Sequence, residues 1–466
     1  METLPENDTF SALLIGFMGV VIFMLLYFFQ SSRKKDSTSV SSIDEKSNWN
    51  AEKNGKQSSK SASQPSAKQP KPTTKKDAKS PQFTHEWLAC TLKGHTGNVL
   101  DIDFSPNGKY LISCDDDRSC FLWFTKDWSV RKAVSSVKVP LQLDHGSRVA
   151  FSPDSKAFIV NLYNSRSLAV YKLARSTDDP GRKTPLTVSH LSEFQHQDPG
   201  DPAELLSLGV ASTGGFVMTC YSDTRIKLWS RRGDHLATID TCHMTNCMAA
   251  VSPCGRFVAS CGFTPDVKVW EVSLDKSGSG LSGPPARAFE LKGHNAQVDG
   301  LAFSADSTRM ATASKDTTWK LWNIDVRYKL GEDPKLLVTG RFRRDGLCRI
   351  ALSPDARCVA IATGASVTVY SCLDASQLAQ FSGLHQGAGV SRALFHPRAQ
   401  FLVTCGSDRH MPVLLNVPGA RAAIADCAAK AKSTQSRAQR EMFEQELAET
   451  RAFLAGHGVA TGEAAG

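Results

Sequence analysis

Residues 92–123 read LKGHTGNVLDIDFSPNGKYLISCDDDRSCFLW, and residues 291–322 read LKGHNAQVDGLAFSADSTRMATASKDTTWKLW. Both open on Gly-His, pass a Val into an alternating apolar stretch ending in Phe-Ser, and turn. Both then run through a second apolar stretch, turn again at Asp, and close on a third stretch ending in Trp. His95 to Trp123 spans 28 residues, and His294 to Trp322 also spans 28. Alternation at period two, broken by Gly, Pro, Ser and Asp, marks short strands joined by tight turns. A unit this short cannot bury its own apolar face and must stack on copies of itself.

Weaker copies fill the intervals. RVAFSPDSKAFIV leads to Tyr171, SLGVASTGGFVMTCYSDTRIKLW ends at Trp229, and AAVSPCGRFVASCGFTPDVKVW ends at Trp270. RIALSPDARCVAIATGASVTVY ends at Tyr370, and RALFHPRAQFLVTCGSDRHMPVLL ends at Leu415. The anchors Trp123, Tyr171, Trp229, Trp270, Trp322, Tyr370 and Leu415 are 41 to 58 residues apart. On these motifs the chain resembles the WD-repeat family. The resemblance implies an all-β fold, a seven-bladed β-propeller over residues 83–418. It also implies that Glu86–Leu92 (EWLACTL) forms the outermost strand of the seventh blade and shuts the ring.

The same resemblance implies a buried hydrogen-bonded tetrad in the best-matched blades. In blade one it would be His95, Ser113, Asp117 and Trp123; in blade five His294, Thr312, Asp316 and Trp322. Ser, His and Asp together also suit a hydrolase, but a buried Ser inside a closed network is a structural group, not a nucleophile. Blade three keeps Thr219, Asp223 and Trp229, with His196 displaced to 33 residues before its Trp.

Ahead of the repeats, Phe10–Phe29 reads FSALLIGFMGVVIFMLLYFF, twenty residues with Ser11 as the one strongly polar side chain. At ~1.5 Å per residue this is ~30 Å of helix, a membrane span. Its acidic start and full length separate it from a cleaved leader. Arg33, Lys34 and Lys35 follow it, so the Lys/Arg rule orients residues 1–9 to the lumen and the propeller to the cytosol. The thirteen Cys agree with a reducing compartment: they form no compact disulfide pattern, and Cys114, Cys220, Cys261 and Cys405 sit within apolar strands as free thiols do. So short a span suits the endoplasmic reticulum bilayer, with the mitochondrial outer membrane as the alternative.

Residues 31–82 carry twelve Lys/Arg against five Asp/Glu, thirteen Ser and four Pro, the composition of a disordered linker. It reads as a solvated spacer; anionic lipid and RNA or ribosome are the alternative partners of its lysines. The chain as a whole has a net charge of +9, of which residues 83–466 hold only +5, too little for duplex DNA on the propeller.

Residues 419–456 are Ala-rich, without Gly or Pro from Ala420 to Ala455, and read as one C-terminal helix with Phe443, Leu447 and Leu454 on one face; 457–466 form a tail. Two decoys remain. Gly278, Gly280 and Gly283 match a nucleotide-binding glycine pattern, but Pro284-Pro285 follow instead of a helix, so an inter-blade loop is expected. Cys242, His243 and Cys247 lack a second ligand pair at zinc spacing. No cofactor, metal or catalytic residue is expected. The family resemblance implies a non-enzymatic, membrane-anchored scaffold that binds cytosolic or membrane-associated proteins, in signalling or translational control at the reticulum. An RNA- or ribosome-contacting adaptor is the alternative.

Overall fold

One four-residue turn, used seven times, sets the spacing of the fold. In the computed structural model, which describes residues 83–460 apart from 130–133, 176–185, 277, 279, 386–388 and 435, the fourth residue of each copy has positive φ. These residues are Gly108, Ser155, Gly214, Gly255, Ser307, Ala356 and Ala399. In five copies the first residue is a Ser whose Oγ accepts a backbone N–H from across the turn, as Ser105 does from Tyr110 at 2.9 Å. The side chain closes the turn and leaves both flanking strands free to pair.

Each turn joins the inner strand of a blade to its second strand. The result is seven four-stranded antiparallel sheets. The inner strands are Val99–Phe104, Gly146–Phe151, Leu205–Val210, Asn246–Val251, Val298–Phe303, Cys348–Leu352 and Val390–Phe395. Apolar faces of successive sheets interlock; Ile112 and Leu122 of blade one, for example, share a buried cluster with Val149 and Val160 of blade two. The chain shuts the ring itself: Leu88–Lys93 pairs antiparallel with His410–Leu415, Thr91 facing Pro412. His396, where five other blades have Ser, donates its Nε2 hydrogen to the Gly108 carbonyl at 2.9 Å and ties blade seven to blade one. A Cβ on Gly108 would lie 3.0 Å from that imidazole, at a φ of +68°, so only glycine fits there.

Strand order fixes two ends. Loops from an outer strand to the next inner strand, and from second to third strands, lie at one end of the central channel, here the top. Loops between first and second, and between third and fourth strands, lie at the bottom. The Gly278–Gly283 segment joins Val267–Glu271 to Ala286–Leu291, the third and fourth strands of blade four. It is a loop within a blade, which corrects the inter-blade expectation.

The single C-terminal helix is also corrected. Two helices form, α1 (Val417–Ser433) and α2 (Arg437–Gly456). Thr434 is extended and ends α1, and α2 folds back antiparallel beneath the ring. One unbroken helix of that length would run ~57 Å, past the propeller into solvent. Folding back instead buries Leu454 completely and sets Phe453 against Phe401, ring centroids 5.6 Å apart. Arg357 pins both helices, 2.8 Å from Asp426 on α1 and 3.5 Å from Glu446 on α2, with Asp355 at 3.0 Å.

The apolar run Phe10–Phe29, Arg33, Lys34, Lys35 and the 31–82 linker lie outside the described residues. Among the described residues no helix is long and apolar enough to cross a membrane.

Candidate functional site

The residues that imitate a catalytic triad are spent on blade geometry. In blade five His294 Nδ1 donates to Asp316 at 3.1 Å, its Nε2 meets Thr312 Oγ1 at 2.8 Å, and Trp322 Nε1 donates to the same hydroxyl at 3.0 Å. Burial pushes the Asp316 carboxyl up, but donation from Thr318 and two backbone N–H groups outweighs it and sets its pKa at about 2. Burial lowers the pKa of His294, which favours the neutral ring.

Blade one corrects one residue. His95 Nδ1 lies 2.6 Å from Asp115, not Asp117; His95 Nε2 meets Ser113 Oγ at 2.6 Å, and Trp123 Nε1 donates to Ser113 at 2.9 Å. Asp117 instead accepts from the Thr96 hydroxyl at the surface. Asp115 is fully buried and also accepts from Ser119 Oγ at 2.8 Å and Ser119 N at 2.9 Å. Burial pushes its carboxyl up, and the hydrogen bonds from His95 and Ser119 reverse this and hold it below the ordinary value.

The networks of blades seven and four were not named from the sequence, and that of blade three differs from its expected members. In blade seven His385 joins Asp408 at 2.7 Å and Thr404 at 2.9 Å. The aromatic position of that blade is Leu414, since Leu402 faces Leu414 as Leu111 faces Trp123; this corrects Leu415. In blade four His243 uses one ring nitrogen on Thr264 and the other on Ser260. Both nitrogens of the suspected metal ligand are therefore occupied, and burial lowers its pKa to about 4. In blade three Tyr221, not Asp223, meets His196 Nδ1 at 2.9 Å, while His196 Nε2 reaches Asn161 of blade two at 2.7 Å. Trp229 Nε1 donates to Thr219 at 2.8 Å. Trp270, Tyr171 and Tyr370 are buried at their expected strand ends.

Two features remain open to solvent. Large apolar side chains stand exposed on five top loops: Leu143 is 87% exposed, Met244 71%, Leu347 58%, Phe263 55% and Tyr163 48%; others stand elsewhere, Leu373 and Leu330 on bottom loops and Leu191 on an outer strand. The second feature is the channel. Strand register makes one position equivalent in all seven inner strands, the residue facing Cys114, Asn161, Cys220, Cys261, Ala313, Ala362 or Cys405 of the second strand. Blades one to seven place there Asp101, Arg148, Ser207, Met248, Gly300, Arg349 and Arg392. The charges all fall in blades six, seven, one and two. Six of the seven line a cavity of about 270 Å³ at the top of the channel, with Leu347 at its rim. A second cavity of about 410 Å³ lies below and shares Asp101, Arg148, Ser207 and Arg392 as walls. Asp103 faces this lower cavity; burial raises its carboxyl to about 7, opposed by donation from Phe151 N at 2.7 Å and by Arg392, and assisted by Asp101.

Comparison with known proteins agrees with the repeats. The WD domain, G-beta repeat model matches residues 87–123 and 286–323. Human transducin beta-like protein 2 is 43% identical over 404 residues, 86% of this chain and 88% of the relative. The chain belongs to the transducin β-like protein 2 family. The mouse protein of that name is 43% identical over 374 residues, 80% of this chain and 82% of its own length. A local likeness, 27% over 148 residues, links 29% of the chain to 30% of the ribosome biogenesis protein ytm1 of Aspergillus oryzae.

Proposed function

We propose that this WD-repeat protein is a non-catalytic scaffold, held by Phe10–Phe29 at the endoplasmic reticulum membrane, that presents the top of its propeller to protein partners in the cytosol. The exposure of Leu143, Tyr163, Met244, Phe263 and Leu347 on loops at one end of a rigid ring carries this reading. Single exposed apolar residues are ordinary on a surface; the top loops carry five large ones against two, Leu330 and Leu373, on the bottom loops, which favours the top as the interaction face. Loops on rigid blades hold such a face without refolding. The Ser and Thr hydroxyls beside the tetrad histidines accept hydrogen bonds from buried Trp side chains, so they serve packing and not chemistry.

Proximity labelling in cells tests it. The full chain should label a defined set of cytosolic and membrane-associated proteins. Leu143→Asp with Phe263→Asp should remove most of that set while the protein stays membrane-bound and folded. Deleting residues 1–30 should release the protein to the soluble fraction, and protease added to intact microsomes should digest the propeller. An unchanged partner set in the top-face variant, or protection of the propeller from protease, refutes the corresponding half of the reading.

A second reading, an adaptor that contacts RNA or the ribosome, draws support from the twelve Lys/Arg in residues 31–82 and from the local likeness to ribosome biogenesis proteins. Replacing the linker lysines by Ser separates the two. The scaffold keeps its partners; the adaptor loses RNA and every RNA-dependent neighbour.

A further inference from the structure

We infer that the top of the channel is a binding site for a compact dianion, a phosphate group in chemical terms, held by Arg148, Arg349 and Arg392. Three guanidinium groups at equivalent positions of blades two, six and seven share one small cavity with a single carboxylate of the same layer, Asp101. That leaves the layer with two positive charges in excess. Asp299 does not offset them, because Arg344 sits 2.5 Å from it and neutralises it.

The donors are only partly used. Arg349 Nε donates to the Ser391 carbonyl at 3.0 Å, and Arg148 to the carbonyls of Leu206 and Ser147 at 2.6 and 2.7 Å. These bonds hold the planes of both groups and take up Nε and Nη1 of Arg148 and Nε of Arg349, leaving Nη2 of Arg148 and both terminal nitrogens of Arg349 for a ligand in the cavity the two residues line. Arg392 Nε is buried without a hydrogen bond, in a loose ion pair 3.6 Å from Asp101 Oδ1, while Asp101 Oδ2 accepts from Val149 N at 3.1 Å. Burial, then Arg148 and Arg392, lower the pKa of Arg349. Gathering like charges in a confined space costs stability, and such a cost is characteristic of a functional site. Planar forks suit phosphate oxygens, to which they donate in pairs. A volume of about 270 Å³ falls just under the ~300–1,000 Å³ of sites for drug-sized ligands, so it suits a small group.

This site goes beyond the scaffold reading and does not require it. The test is isothermal titration of the purified full chain at low salt with inorganic phosphate, with a short phosphoserine peptide, with its unphosphorylated form and with acetate. Arg349→Met and Arg392→Met should each weaken phosphate binding by roughly ten- to a hundredfold, the effect of losing one charged hydrogen bond. Asp101→Asn should tighten it, and Arg349→Lys should retain part of it. The two substitutions that keep the ring charge or raise it carry the test if either Met variant fails to fold. Binding of both phosphate probes points to a free phosphate compound as ligand; binding of the phosphopeptide alone, with the same arginine dependence, points to a phosphorylated side chain. The inference is overturned if neither phosphate probe binds at ~10 mM. Acetate binding equally well, or affinity unaffected by removal of all three arginines, overturns it too.

Discussion

Asp115 and Asp117 stand two residues apart on one turn, and the structure gives them opposite energetic weights. Asp115 accepts four hydrogen bonds in a sealed site: His95 Nδ1 at 2.6 Å, Ser119 Oγ at 2.8 Å, Ser119 N at 2.9 Å and Asp117 N at 3.1 Å. Asp115→Ala leaves at least His95 and the Ser119 hydroxyl as buried donors without an acceptor. Each unpaired group costs about 1–3 kcal/mol, so the total is about 3–5 kcal/mol. With an unfolding entropy of ~2.1 cal/mol/K per residue over roughly 360 described residues, 1 kcal/mol shifts Tm by ~1.3 °C. Asp115→Ala should then melt ~4–6 °C lower in a calorimetric scan. Asp117→Ala removes one surface hydrogen bond and should shift Tm by under ~1 °C. Because the Asp115 pKa is lowered on folding, its contribution is present above the ordinary carboxylate value. The gap between wild type and Asp115→Ala should therefore narrow as pH falls below ~4. A drop for Asp117→Ala equal to that for Asp115→Ala would falsify the assignment of Asp115 to the network.

Asp103 should act in the opposite sense. Its folded pKa of about 7 lies above the unfolded value, so between pH ~4 and 7 the folded state holds the extra proton and stability declines as pH rises. Asp103→Asn keeps an acceptor for Phe151 N and should stabilise the protein by roughly 1–3 kcal/mol at pH 8, with no gain at pH 4; urea midpoints at the two pH values decide it. Leu454→Ala empties a fully buried position between α2 and the ring. Loss of ~2–5 kcal/mol there should free α2 first, seen as faster amide exchange over Arg437–Gly456 while the blades stay protected.

The seven-blade ring was legible because a Ser-initiated turn in five blades and a strand-end aromatic in six recur at a regular spacing. The networks inside the blades were less so. In Asp115-Asp116-Asp117 each carboxylate has its own donor, Asp116 taking Asn98 N at 2.7 Å, and the count of six residues back from Trp322 that finds Asp316 lands on Asp117 in blade one. The network takes the residue two beyond its hydroxyl in blade one and four beyond in blade five, a difference of turn geometry without a sequence signal. Blade seven offered a usable clue, since Asp408 follows Thr404 by four as Asp316 follows Thr312, but Leu at the Trp position concealed it. The α1–α2 break falls at Thr-Gln-Ser, too ordinary a triplet to end a helix by composition alone; Phe401 and Arg357 decide it by what they bury and pair. The channel ring was not legible at all. Its members lie about fifty residues apart, and only strand register brings them to one level.

The distribution of those arginines has a structural logic beside the ligand. Blades two and six end in Tyr171 and Tyr370 and lack the His–hydroxyl–Trp network that braces blades one and five. These two blades send Arg148 and Arg349 across to a carbonyl of the next blade, Leu206 O in blade three and Ser391 O in blade seven. Where an internal brace is missing, an inter-blade one takes its place. A brace needs only the Nε hydrogen bond, and a neutral donor such as Gln could supply it without bringing like charges together. Arginine at both places, with a third at Arg392 whose Nε makes no hydrogen bond and stands 3.6 Å from Asp101, exceeds what bracing requires. The excess is positive charge aimed at one cavity. Arg349→Gln therefore separates the two roles: if bracing were its whole purpose, the neutral residue would match or improve stability and leave anion binding unchanged. If the charge serves a ligand, the same substitution should stabilise the free protein and weaken phosphate binding.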